Sequence, residues 1–354
     1  MSRGVVAVIP SKYKDVIDEE LTLVKSIYDN IVDVILVRKP NSKYYLSKPK
    51  IDYLKSMRDN IESIIIMDTL KPRHIVNLYR ELRREIIDRV QLILKIFAYH
   101  AGSKEAKLQI ELAQLRHELP LIREMIRYAK LSELPGYLGG GRYAVDKYYR
   151  QAKSRIARIR RELERLRKIR ELRRTNRSRL GYPHVSIVGY TCAGKTTLFN
   201  YLAKSMKPVG PEPFTTLSPK ASSIEYDGLK MILIDTVGFI RDIPLEIIEA
   251  FYATLEEIVE SDAIIIVLDA SKDIRNVVYE VNETKRILSN IGVHGKPMLI
   301  ALNKIDIVSN DKLETVLEIV SKHFNRDGVK IVPISALKGI NIDLLLSELI
   351  SLLR

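Results

Sequence analysis

The apolar run from His184 to Val188 delivers the chain into Gly189-Tyr190-Thr191-Cys192-Ala193-Gly194-Lys195-Thr196, with Thr197 and Leu198-Phe199 following in helical register. No other feature of the 354 residues constrains the fold as tightly. A G-x-x-x-x-G-K-[ST] stretch between a strand and a helix is a loop whose backbone N–H groups close on a polyphosphate. Three further signals follow it in order: Phe214-Thr215-Thr216-Leu217, Asp235-Thr236-Val237-Gly238 and Asn303-Lys304-Ile305-Asp306, with Ser335-Ala336-Leu337 behind them. One such motif arises by chance, but the ordered series within a domain's length does not. The series implies a guanine-nucleotide switch domain.

Each residue type suits a distinct task. Gly189 and Gly194 permit the tight loop, along which Tyr190, Thr191, Cys192 and Ala193 offer main-chain donors to phosphate. Lys195 brings a point charge to the β- and γ-phosphates, and the Thr196 hydroxyl ligates Mg2+, with Thr197 beside it. Thr216, between Phe214 and Leu217, is the expected second Mg2+-ligating hydroxyl and sensor of the γ-phosphate, with Thr215 as the alternative. Asp235 reaches Mg2+ through water, and beyond Thr236 and Val237 the Gly238 N–H contacts the γ-phosphate. Lys195, Thr216 and Gly238 are therefore the expected catalytic set. The Asp306 carboxylate accepts from guanine N1 and N2, a pair that adenine does not offer. Asn303 and Lys304 brace that loop and the ring, while the main chain of Ser335, Ala336 and Leu337 meets O6. GTP and GDP are the expected ligands, with Mg2+ as cofactor. Cys192 lies near a helix N-terminus and Lys195, a setting that can lower a thiol pKa, although a small residue offering its N–H accounts for it. After D-x-x-G, where Ras-like proteins carry a water-orienting Gln, stands Phe239. Either hydrolysis is slow until a partner reorganises the site, or another group orients water.

Upstream the pattern changes twice. Val5–Ile9, Ile31–Val37 and 63–67 look like strands separated by helices near 16–29, 51–59 and 74–86, which implies a small α/β layer over 1–102. Leu108, Leu112, Leu115, Leu119, Ile122 and Ile126 then form a helical seam that Pro120 is expected to bend. After the break at Gly139-Gly140-Gly141, a second long helix carries Ile156, Ile159, Leu163, Leu166, Ile169 and Leu172. The expected fold is α/β: an N-terminal α/β subdomain, a long antiparallel helical hairpin over 103–179 with a Gly-rich tip, and a doubly wound P-loop domain over 180–354. Asp227-Gly228 signals a hairpin, giving that sheet one antiparallel edge strand. The formal charge is +14, and 142–179 alone holds 16 Lys/Arg against 4 Asp/Glu. That bias points to nucleic-acid phosphate recognised by shape and backbone. No apolar run spans a bilayer, and the single cysteine, Cys192, suits a reducing cytoplasm.

The residues Asp235-Thr236-Val237-Gly238-Phe239-Ile240-Arg241 with Pro244, together with Gly189-Tyr190-Thr191 and Phe214-x-Thr216-Leu217, resemble the switch signatures of the HflX family of ribosome-associated GTPases. So do Asp88-Arg89, Ile93-Leu94-x-Ile96-Phe97-Ala98 and Lys107 to Leu115, which lie outside the nucleotide motifs. The resemblance implies binding to the large ribosomal subunit, stimulation of hydrolysis by ribosomal RNA and, in some members, splitting of stalled ribosomes. A monomer is expected. After Gly139-Gly140-Gly141-Arg142 the family continues with a Gly-Pro-Gly-Glu type stretch, where this chain has Tyr143-Ala144-Val145-Asp146. The extra C-terminal domain of many bacterial members is not expected. Action on immature ribosomal RNA during subunit assembly, or signalling through protein effectors, are the alternative functions.

Overall fold

A computed structural model describes residues 4–130, 141–178, 181–204, 220–244, 247, 252–324 and 329–354. The chain forms two compact units, one of 1–99 with 107–165 and one of 100–106 with 166–354.

The first unit is built on a parallel four-stranded sheet of order β2-β1-β3-β4, with β1 Gly4–Pro10, β2 Ile31–Val37, β3 Ile61–Ile66 and β4 Glu85–Asp88. Every residue of β1 is buried, as expected of a central parallel strand covered on both faces. Helices α1 (Ile17–Lys25), α2 (Lys48–Ser56) and α3 (Pro72–Leu82) connect the strands. Proline opens α3 and Arg83 closes it in the left-handed region, its N–H on Tyr79 O at 2.8 Å. The short β4 and the following helix α4 (Arg89–His100) do not stand out in the sequence pattern. Val90, Leu92, Ile93, Leu94, Ile96 and Phe97 are all buried, and only a narrow stripe through Gln91, Lys95, Ala98 and Tyr99 reaches solvent, so the polar side of α4 is too slight to mark a helix by its period. Asp88 starts it, accepting from the Gln91 N–H at 2.9 Å. Arg89 is 2% exposed and donates from Nε and Nη2 to Glu20, which is fully buried. Removing one partner of such a pair costs about 3–5 kcal/mol.

Helices α5 (Lys104–Lys130) and α6 (Gly141–Ser178) form the antiparallel hairpin. Arg155 makes a two-pronged pair with Glu111 at 2.6 and 2.7 Å, Tyr148 donates to Glu118 and Arg123 to Tyr149. The α5 helix runs uninterrupted through Pro120. Its apolar surface is broader than a two-helix seam, because Leu121, Ile122 and Met125 join the core of the parallel sheet while Ile110 and Ala113 are also buried. Leu108, Leu112, Leu115 and Leu119 are consequently only half-buried. On α6, Ala152, Ile156 and Ile159 are buried, whereas Ile169 and Leu172 are 38% and 68% exposed. The expected seam does not reach that far. The 111/155 and 118/148 pairs set a register that leaves α6 outlasting α5 from about residue 163.

The second unit carries a six-stranded sheet of order β10-β9-β8-β5-β7-β6: β5 His184–Gly189, β6 Lys220–Tyr226, β7 Leu229–Asp235, β8 Ala263–Asp269, β9 Met298–Asn303 and β10 Val329–Pro333. Only β6 is antiparallel, paired with β7 from Lys220↔Asp235 to Tyr226↔Leu229. Both turn residues between them, Asp227 and Gly228, have positive φ, the requirement of the expected hairpin turn. The core joins Val185, Ile187, Leu233, Ile265, Val267 and Leu299 of the strands to Phe199 and Leu345 of the helices. The mixed sheet with one antiparallel edge is the doubly wound fold anticipated from sequence.

Candidate nucleotide site

Four strands deliver chemistry to the same carboxyl edge of the sheet, where ligands bind in doubly wound folds. Gly189 ends β5 beside Val267, Asp235 ends β7 beside Ile187, and Asp269 and Asn303 end β8 and β9 as register partners. A Cβ at Gly189 would lie 2.2 Å from the Val267 carbonyl oxygen, and one at Gly194 would lie 2.1 Å from Asn303 Nδ2. Glycine is required at both positions.

Past this loop, Lys195 begins helix α7 (Lys195–Leu202). It is 6% exposed and its Nζ donates to Tyr190 O at 2.6 Å. Burial lowers its pKa to about 8, with Asp235 opposing that shift. Thr196 Oγ1 donates to Asp235 Oδ2 at 3.1 Å, and the buried Thr236 hydroxyl donates to Ile187 O at 2.7 Å. Thr197 is half-buried and Ala193 buried. The Phe239 N–H donates to Gly189 O at 2.9 Å, and the Thr191 N–H donates to Phe239 O at 2.8 Å. This short parallel bridge brings Val237 and Gly238 to the loop, a Cβ on Gly238 falling 2.8 Å from Lys195 Nζ. Phe214, Thr215, Thr216 and Leu217 lie outside the described residues.

Asn303 is the tie between the two ends of the site. Its Nδ2 donates to Ala193 O at 2.8 Å and its Oδ1 accepts from the Ala336 N–H at 2.9 Å. Lys304, with φ +70, reaches Asp269 Oδ2 at 2.6 Å. Asp269 also accepts from the Ser271 N–H and hydroxyl. Asp269 carries no motif, and the only signal for it in the sequence is a carboxylate ending an apolar strand. The Asp306 side chain is 8% exposed, with Lys338 Nζ 3.8 Å away. Ser335 exchanges main-chain bonds with Ile340, and Leu337 is 77% exposed beside it. The Cys192 side chain is exposed, yet desolvation at the loop raises the thiol pKa and outweighs Lys195, Lys272 and Lys304, which fits the reading of Cys192 as a small residue offering its N–H and not a reactive thiol. The described motif residues thus converge on one sheet edge, where a phosphate loop meets a guanine-type N-K-x-D loop.

This fold and this site define a P-loop GTPase, a GTP-hydrolysing enzyme. Three family profiles match along the chain: a GTP-binding GTPase N-terminal region at 14–98, a GTP-binding GTPase middle region at 100–177, and a 50S ribosome-binding GTPase at 184–304. The chain belongs to the HflX family of GTPases. It is 46% identical to GTPase HflX of Hyperthermus butylicus, over 91% of this chain and 88% of that protein. It is 41% identical to that of Saccharolobus solfataricus, over 96% of each. Among solved structures it is similar to SsGBP in complex with GDP, at 35% identity and TM-score 0.57 over 99% of this chain and 98% of that one. A GTP-binding protein from the archaeon Sulfolobus solfataricus, also in complex with GDP, matches at 34% identity and TM-score 0.52 over 100% and 99%.

Proposed function

We propose that this GTPase engages the large ribosomal subunit through its basic helical part and uses its nucleotide state to time release, a cycle suited to stalled ribosomes. The charge of α6 carries the reading. Lys147, Arg150, Lys153, Arg158, Arg160, Arg161, Arg165 and Lys168 are all exposed, and a solvated hairpin face ordinarily mixes signs. The description of the profile matching 184–304 supports the same partner. Labour divides by segment: 1–102 and 103–179 meet ribosomal RNA, and 180–354 handles GTP. The protein acts in the cytoplasm as a monomer.

Within the nucleotide site, the main chain of 189–194 wraps the phosphates, and Lys195 exchanges Tyr190 O for phosphate oxygen. Gly238 gives its N–H to the γ-phosphate, while Thr236 and Val237 set its approach. Asp306 accepts from guanine N1 and N2, and the main chain of Ser335, Ala336 and Leu337 lines O6. Thr196 Oγ1 and Asp235 Oδ2, hard oxygens 3.1 Å apart, suit Mg2+ held directly by Thr196 and through water by Asp235. Thr216 supplies a further hydroxyl. When bound, the ion neutralises charge developing on the phosphates. Phe239 is 2% exposed and held by its main chain, and its ring cannot orient water. Hydrolysis by the protein alone is therefore slow, on the order of the intrinsic Ras rate or below, and large subunits accelerate it. Sedimentation with a non-hydrolysable GTP analogue tests the reading: co-migration with mature large subunits supports it. Co-migration with precursor particles only, or with neither, overturns it in favour of assembly or signalling respectively.

A further inference from the structure

Arg241, three residues past Gly238, is 9% exposed. Its guanidinium stands 3.8 Å from the centroid of the Tyr279 ring, and Nη2 donates to Asn276 Oδ1 at 3.1 Å. The Tyr279 hydroxyl donates to Asp242 Oδ1 at 2.7 Å and accepts from the Asp242 N–H at 3.2 Å. Asn276 and Tyr279 are three residues apart on one face of the helix Ile274–Asn290. That helix is anchored by buried Val277, Val281, Ile287 and Leu288. Asp242 itself has φ +46, a left-handed conformation that persists in a non-glycine residue when its surroundings over-determine it. Here the two bonds to Tyr279 do so.

The segment leaving β7 is thus fastened twice. Phe239 is bonded through its main chain to Gly189 and Thr191 on one side, and Arg241 with Asp242 is clasped by the helix on the other. Gly238 sits just before both fastenings, against Lys195 and Thr191. A guanidinium over an aromatic ring, largely removed from water, holds more firmly than at an exposed site.

We propose that Arg241 is a positioning residue: latched on Tyr279 and Asn276, it holds the switch segment so that the Gly238 N–H stays aligned with the γ-phosphate. This rests on the reading of Gly238 given above. The latch acts on the triphosphate state and not on the affinity for GDP, which lacks the phosphate that Gly238 meets. It also makes the helix Ile274–Asn290 a second body to which the switch answers.

The test uses the full chain with Mg2+ and compares Arg241→Ala, Arg241→Lys, Tyr279→Phe and Gly238→Ala. GDP affinity, affinity for a non-hydrolysable GTP analogue, single-turnover hydrolysis and melting temperature are read for each. Arg241→Ala is expected to lower hydrolysis and the analogue-to-GDP affinity ratio about tenfold or more, as a slightly misplaced donor does. Its GDP affinity should stay within about twofold of wild type. Arg241→Lys, which keeps a cation over the ring, recovers part of the loss, and Tyr279→Phe falls between. Wild-type hydrolysis and ratio in Arg241→Ala would overturn the proposal. So would equal loss of GDP and analogue affinity with a lower melting temperature, which makes the cluster packing only. Gly238→Ala separates the two readings. If it alone impairs hydrolysis, the latch falls and the role of Gly238 stands; if it too is silent, both fall.

Discussion

Replacing Asn303 by Ala removes both ends of the bond that joins the phosphate loop to the Ser335-Ala336 turn. The side chain is 3% exposed, and its bonds to Ala193 O and the Ala336 N–H are 2.8 and 2.9 Å long. Neither orphaned group gains water in compensation, because Ala193 and Ala336 are 0% and 1% exposed. Each buried group left unsatisfied costs roughly 1–3 kcal/mol, so the two together should destabilise the nucleotide unit of Asn303→Ala by about 2–6 kcal/mol. That is a large share of a typical domain's stability but does not abolish folding. Hydrogen exchange by mass spectrometry reads this unit separately from the other, which a single global melt does not. Protection of peptides from 184–204 and 298–303 should fall thirtyfold or more, about 2 kcal/mol at the tenfold-per-1.4 kcal/mol conversion. Asn303→Asp keeps an acceptor for Ala336 but sets a carboxylate against the Ala193 carbonyl, and should lose protection in the phosphate loop first. A change below about 1 kcal/mol in both peptides, or a loss confined to residues 334–340, would refute the reasoning.

Asp306→Asn should weaken GTP by roughly 2–4 kcal/mol and admit xanthine nucleotides, because it breaks a charge-assisted bidentate pair; unchanged affinity in titration calorimetry takes Asp306 out of the site. Neutralising Arg158, Arg161, Arg165 and Lys168 together should weaken ribosome binding about tenfold or more at moderate salt and flatten the dependence of log K on log salt. An unaltered salt slope would show that face to be merely solvated. Burial lowers the pKa of His74, whose Nε2 lies 3.0 Å from Ser42 O while its buried Nδ1 has no hydrogen-bond partner. The unfolded chain therefore binds the extra proton first, and stability held above about pH 6.5 is lost as the pH falls below that value. His74→Gln should flatten the fall in the urea midpoint of the N-terminal unit between about pH 7 and 5, and parallel slopes for the two proteins would discard the assignment.

The nucleotide motifs were legible because their chemistry demands particular residues at particular steps of the chain. Glycine at 189 and 194 answers a steric limit, and the amide of Asn303 must both donate and accept. The antiparallel pairing of β6 with β7 followed from Asp227-Gly228. What escaped was whatever lacked a period. Glu85–Asp88 is too short to alternate, and α4 is buried on all but a narrow stripe through Gln91, Lys95 and Tyr99. The extent of the α6 seam escaped for another reason: spacing shows where apolar residues recur, not where the partner helix begins. Tyr279, Asn276 and Asp269 carry no motif. Their importance comes from which strand end or switch residue they meet, a tertiary fact that sequence spacing does not encode.

The Asn303 amide bonds residues 110 positions apart and then a turn 33 positions further on. A chain synthesised from its N-terminus therefore completes the phosphate loop long before the residues that pin it exist. Pairings of such sequence separation form late, after their loop-closure entropy has been met, and domains fold as their last long-range elements emerge. Nucleotide capture waits until the segments holding Asn303 and Ala336 have been made. A nascent chain truncated before Ala336 carries the whole loop from Gly189 to Thr196 and yet lacks one end of the clasp that Asn303 makes.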